Sequence, residues 1–205
     1  MQAAMLKVFG RTGALDEYQF GGKTDWQVLT DLLGMSADEV AACLPTYSPV
    51  AADSMAQIID QYNIEACPDA FALIDALNTE PRALLGILTG NLRSTAPMKL
   101  RAAGFDPAVF KVAAYGSEAP HRSLLPTLAA ERARALHGIK YEGKRVVIIG
   151  DTPDDVTCGH NIGARTIALL TGRGSRDALE AHKPDYLFED LRDTSAILAA
   201  ILAPP

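Results

Sequence analysis

The stretch Arg145–Asp155, RVVIIGDTPDD, decides the fold. Its first half, Arg145–Ile149, is β-branched and apolar without polar alternation, which predicts a strand buried on both faces in a parallel sheet. Gly150 permits a sharp exit from that strand. Asp151 and Asp155 follow, four positions apart, in a segment that turns helical near Asp154. With Asp151 at the strand tip and Asp155 on the first helical turn, both acids can face one place. Clustered carboxylates repel and need a cation or hydrogen-bond donors. Hard oxygen ligands suit Mg²⁺, which usually keeps several waters and a substrate phosphate. The plainer role for such acids is to cap the helix and favour its positive end, and Asp154 fits that role best.

Further strands are predicted at Ala83–Leu88, Lys111–Tyr115, Thr166–Leu170 and Tyr186–Phe188, with helices between, notably Asp69–Asn78, Leu125–Leu136 and Asp154–Ile162. This alternation implies a doubly wound α/β sheet, whose ligands bind beyond the carboxyl ends of the strands. Residues 1–66 have a different texture. Met5, Leu6 and Phe9 form an apolar stripe that Gly10 can end. Asp25 can cap a helix through Leu33, which Gly34 stops, and Ser36 and Glu39 stand at capping-box spacing. A longer helix, from about Val50 to Tyr62, is expected after Pro49, a residue suited to a first helical turn. The chain thus divides into a helical part, 1–68, and an α/β part, 69–205.

Two more strand ends carry polar motifs. LLGILTGN puts Thr89, Gly90 and Asn91 directly after an apolar run. A threonine hydroxyl there can bond a phosphoryl oxygen, and Gly90 lets backbone amides approach an anion closely; an ordinary strand-to-loop turn reads the same way. APHRSLLP puts Arg122 just before a helix, where its planar fork can reach a phosphoryl group or orient a carboxylate. Taken alone it reads more readily as a surface arginine. His121, His137, His160 and His182 show no metal-ligand spacing.

In this order and these contexts the motifs resemble the haloacid dehalogenase superfamily, toward its phosphatase and phosphoglycolate-phosphatase-like members. Thr89 matches the family's second motif, Arg122 its third (usually Lys), and Asp151 and Asp155 its fourth, GDxxxD. The resemblance covers residues 69–205 and extends more loosely to 1–68, which look like the helical cap inserted after the first motif. Within it FGGKTD resembles a specificity loop, which makes Lys23, Thr24 and Asp25 candidates for reaching a substrate beside Gly90 and Asn91, with a helix cap the readier role for Asp25. The implied activity is Mg²⁺-dependent hydrolysis of a small phosphorylated metabolite through an aspartyl-phosphate, with Thr89, Arg122 and Asp151 catalytic and Asp151 and Asp155 holding the metal.

The family's first motif, a strand ending in DxDx(T/V) that supplies nucleophile and general acid, does not occur among these residues. The opening MQAAMLKVFG resembles the start of the cap. The expectation is a truncated, inactive form lacking the central first strand, with two neighbouring strands left without partners. The alternatives are a non-catalytic module binding an anion or a partner chain, and phosphomutase or dehalogenase chemistry of the same superfamily.

Composition agrees with an α/β domain: 48% hydrophobic residues over 205 positions suffice for a sizeable core. A net charge of -6 argues against nucleic-acid or anionic-membrane partners. Cys43, Cys67 and Cys158 are odd in number, with no CxxC pair, as reduced thiols of a cytoplasmic protein would be. No segment reaches the roughly 18 apolar residues of a membrane span, and no basic start precedes an apolar run.

Overall fold

The computed structural model describes residues 1–172 and 174–205. In chain order the α-helices are α1 (Gln2–Phe9), α2 (Asp25–Leu33), α3 (Ala37–Ala56), α4 (Ala70–Thr79), α5 (Ala96–Ala102), α6 (Leu125–His137), α7 (Pro153–Asn161), α8 (Arg176–Ala181) and α9 (Thr194–Leu202). The strands are β1 (Gly86–Thr89), β2 (Val112–Tyr115), β3 (Val147–Gly150), β4 (Arg165–Leu169) and β5 (Tyr186–Phe188). All five expected strands form, each within a few residues of its expected bounds. The chain separates into two compact units. The first holds Met1–Glu65, Thr89–Pro107 and Ala114–Arg122; the second holds Ala66–Leu88, Ala108–Ala113 and Ser123–Pro205.

The first unit is built on α1, α2 and α3, whose apolar faces bury Met5, Leu29, Leu33, Val40, Leu44 and Tyr47 together with Leu92. The helix ends follow local chemistry. Gly10 and Gly34 close α1 and α2 in the left-handed conformation, at φ 67° and 63°. Ser36 and Glu39 form the expected capping box at the start of α3. The cap of α2 is not Asp25 but Thr24, whose hydroxyl accepts from the Gln27 amide at 3.0 Å.

No separate helix starts at Val50; α3 runs through both Pro45 and Pro49 to Ala56. Proline removes an N–H, so the carbonyls of Ala41 and Pro45 lose their helical donors. Ala41, Pro45 and Pro49 are all exposed, so that loss faces water. Val40, Leu44, Tyr47 and Ala51 meanwhile bury a continuous stripe at three- and four-residue spacing, and this packing outweighs the local stop signal.

In the second unit β3, β4 and β5 form a parallel sheet in that order, with Ile149 opposite Ile167 and Leu169 opposite Phe188. Side chains of β4 alternate between two helical layers. Ile167 and Leu169 pack with Leu73 and Leu77 of α4 and Ile197 of α9, whereas Ala168 packs with Val156 of α7 and Leu179 of α8. This is an α/β fold wound on both faces. The strand buried along its whole length is β4; the run expected to be most buried, β3, has half-buried Val147 and Ile149 because β4 is its only partner among the described residues. β1 and β2 pair in a separate two-stranded sheet.

Two charged groups fix the edges of β4. Arg165 is 5% exposed and donates to the carbonyls of Ile201, Ala203 and Pro204, closing the end of α9 with a cation. Asp185 accepts from Lys144 Nζ at 2.6 Å and from the Thr166 amide at 2.8 Å. Burial raises its carboxyl, but Lys144 and Thr166 together outweigh that and hold it below the ordinary range. Cys43, Cys67 and Cys158 are free thiols, and no described helix is long and apolar enough to cross a membrane.

Candidate functional site

The candidate residues fall into both units, and each set is built by its own elements. In the first unit Thr89 ends β1, and its Oγ1 accepts twice from Asn91: from the backbone amide at 3.2 Å and from Nδ2 at 2.7 Å. Asn91 Oδ1 in turn accepts from Lys99 Nζ on α5 at 2.5 Å. A hydroxyl oxygen has two lone pairs and one proton. With both lone pairs accepting, the Thr89 proton is left to donate away from Asn91, the arrangement an anion requires.

The FGGKTD segment is bonded to this turn at several points. The Asp25 amide donates to the Gly90 carbonyl at 2.6 Å, and an Asp25 carboxylate oxygen accepts from the Leu92 amide at 2.7 Å. The Trp26 amide donates to the Gly116 carbonyl at 3.1 Å. Burial raises the Asp25 carboxyl above its usual value, against the Leu92 amide and the nearby Lys99, which lower it.

These contacts show how Thr24 and Gly90 are engaged within the protein. Thr24 is fully buried; its hydroxyl donates to the Pro120 carbonyl at 3.0 Å while accepting from Gln27, so it is engaged by protein rather than turned toward a ligand. Gly90 is packed closely against protein backbone. A Cβ there would stand 2.0 Å from the Lys23 carbonyl oxygen, and a Cβ on Gly116 would stand 1.7 Å from the Gly90 carbonyl oxygen. Three stretches of backbone are thus stacked too closely for side chains. The Lys23 side chain is partly exposed and faces Asp31 at 3.7 Å. Arg122 opens a 3-10 turn, Arg122–Leu124, and is half-buried beside the exposed His121.

In the second unit Gly150 ends β3 and α7 begins at Pro153. Thr152 caps α7 in a capping box with Asp155: Asp155 Oδ2 accepts from the Thr152 amide at 3.2 Å and from its hydroxyl at 2.7 Å. The capping acid is therefore Asp155, not the exposed Asp154. Asp155 is 7% exposed and lies over Gly150, where a Cβ would come within 2.4 Å of its side chain. Asp151 is half-buried at the strand tip, and a Cβ on Gly172 would meet its carboxylate at 1.6 Å. No group of three or more His, Cys, Asp or Glu among the described residues is arranged to hold a metal ion.

Sequence reasoning passes over Lys99, Gly116 and the Asp25–Leu92 bond. Nothing local marks Lys99 beyond a positive charge on the helix after Asn91.

A HAD-hydrolase-like family model matches residues 125–194. This match, to about a third of the chain, supports membership of the haloacid dehalogenase-like hydrolase superfamily. It is similar to pyrophosphatase PpaX of Bacillus mycoides, 29% identical over 117 residues, covering 57% of this chain and 53% of that protein. Against pyrophosphatase PpaX of Bacillus pumilus the identity is 24% over 195 residues, 91% of this chain and 85% of that one. The chain thus spans about half of one such relative and most of the other. A crystal structure of a hydrolase from Pseudomonas syringae matches with TM-score 0.64 at 19% identity, covering 96% of this chain and 87% of that one, which supports the same fold.

Proposed function

We propose that this fold serves Mg²⁺-dependent hydrolysis of a small phosphorylated metabolite, with 1–68 as helical cap and 69–205 as core. The observation that carries the reading is the Thr89 hydroxyl, which accepts twice from Asn91 and is left to donate to an anion. In the reaction an aspartate carboxylate attacks phosphorus, the leaving oxygen takes a proton from a second acid, and water then cleaves the aspartyl-phosphate to release phosphate. The DxDx(T/V) string that would supply both acids is not among these 205 residues. What this chain contributes is the holding of the phosphoryl group by Thr89, the charge of Arg122 toward it, and the acids of the fourth motif.

The donor set fits Mg²⁺ in part. Asp151 offers a hard carboxylate at a strand tip, while one oxygen of Asp155 is already held by Thr152. Asp151 is the direct ligand in this reading and Asp155 positions the turn or acts through water. Bound there, the ion would neutralise phosphoryl charge. Room for a strand with the first motif is supported by the second unit itself. Ala83 and Leu85, leading into β1, pack on the same cluster as Val147 and Ile149 of β3, yet the two sheets share no ladder among the described residues.

The test is hydrolysis of p-nitrophenyl phosphate, and of pyrophosphate because the relatives bear that name, with Mg²⁺. The chain alone is expected to show no turnover above background. A version extended at its N-terminus by a strand ending in DxDxT is expected to turn over and to lose at least about 100-fold on Asp151→Ala. Activity of the 205-residue chain that survives Asp151→Ala would overturn this function.

A further inference from the structure

We infer that Lys99 is a positioning residue for anion binding: by fixing which end of the Asn91 amide faces Thr89, it makes the Thr89 hydroxyl a donor. The inference rests on the phosphatase reading above and adds to it a residue outside the four motifs.

An ammonium only donates, so the atom of Asn91 that meets Lys99 Nζ at 2.5 Å must be the carbonyl oxygen Oδ1. The amide nitrogen Nδ2 is then turned toward Thr89 Oγ1, 2.7 Å away, and must donate to it. Together with the Asn91 backbone amide at 3.2 Å, this occupies the accepting side of the hydroxyl. The hydroxyl proton cannot point at either donor and is directed elsewhere. Among the described residues Lys99 is the partner that holds Oδ1 and so fixes the amide in this sense. A flipped Asn91 would present Oδ1 to Thr89, accept its proton, and put a lone pair where an anionic oxygen has to bind.

The geometry is anchored from behind. Asn91 O accepts from the Gly116 amide at 2.8 Å, and Leu92, the next residue, donates its amide to Asp25. The backbone at Asn91 is thus held from two directions, and the remaining freedom at this turn is the side-chain amide that Lys99 orients. Lys99 lies eight residues beyond Asn91, on α5, so the pair forms only when α5 is in place.

The test is titration of the full chain with inorganic phosphate in Mg²⁺ buffer, followed by calorimetry and by the Asn91 side-chain amide resonance. Wild type is expected to bind. Thr89→Val and Lys99→Met are each expected to weaken binding about tenfold, the effect of losing one charge-assisted hydrogen bond. Lys99→Arg, which still donates to Oδ1, should restore most of the affinity, and Lys99→Met should shift the Asn91 amide resonance where Lys99→Arg leaves it near its place. In the Asn91→Leu background, Lys99→Met should weaken binding no further, since Lys99 acts through Asn91. Loss of binding in Thr89→Val with full binding in Lys99→Met overturns this inference and leaves the phosphatase reading standing. Equal binding by wild type and Thr89→Val, or no binding by wild type, overturns the Thr89 site itself and the inference with it.

Discussion

The turns after β1 and β3 look alike in sequence, each an apolar run leading to a glycine followed by a polar residue, yet they are held by different kinds of contact. After β3 the bonds are local: Thr152 and Asp155, three residues apart, satisfy one another at the start of α7. After β1 the local Thr89–Asn91 bonds are joined by distant ones: the Leu92 amide donates to the Asp25 carboxylate across 67 residues, and the Asp25 amide donates to the Gly90 carbonyl. A turn of the first kind forms wherever its few residues do. One of the second kind depends on a whole unit being packed, and a small change in any of three segments disturbs it.

Substitutions can break that contrast. The largest effect is expected at Gly116, where a Cβ would lie 1.7 Å from the Gly90 carbonyl oxygen. Gly116→Ala should destabilise the chain by about 3 kcal/mol in urea unfolding. Its counterpart after β3, Thr152→Ala, removes a helix cap and should cost about 1 kcal/mol. Equal effects would show that the first turn is not held as tightly as its close approaches imply.

The smallest effect sharpens the comparison through pH. Burial raises the Asp25 carboxyl, so the folded chain holds that proton more tightly than the unfolded one. Stability from this group is present at low pH and is lost as pH rises from about 4, the unfolded value, through the raised folded value. An amide in place of the carboxyl does not titrate, so Asp25→Asn should match wild type in acid and gain on it above that window. A gain that instead appears only in acid would reverse the sign of the shift.

How much of this is legible in the residues follows the same division. RVVIIGDTPDD shows its strand, its turn and its helix, and all three form. The capping acid lies one position beyond the expected Asp154, although the signal for it is present. Pro153 takes the first helical position, which makes Thr152 the cap and Asp155 its partner three residues on. Pro49 misleads in the opposite way: a local breaker reads as a boundary, where the buried stripe from Val40 to Ala51 carries one helix past it. Thr24 stands out only by resemblance, as a polar residue of a loop motif, and its burial against Pro120 has no local sign. Lys99 is the extreme case, because its partner is set by where α5 packs. Composition and spacing carry no record of that.

The central claim is that Thr89 presents a hydroxyl proton to an anion. A crystal structure of the chain grown with Mg²⁺ and tungstate, a phosphate analogue, tests it most directly. A tungstate oxygen is expected within hydrogen-bonding distance of Thr89 Oγ1, with Asn91 Nδ2 still donating to Oγ1 from its other side. Tungstate bound elsewhere, or Thr89 donating to an Asn91 amide turned the opposite way, would contradict it.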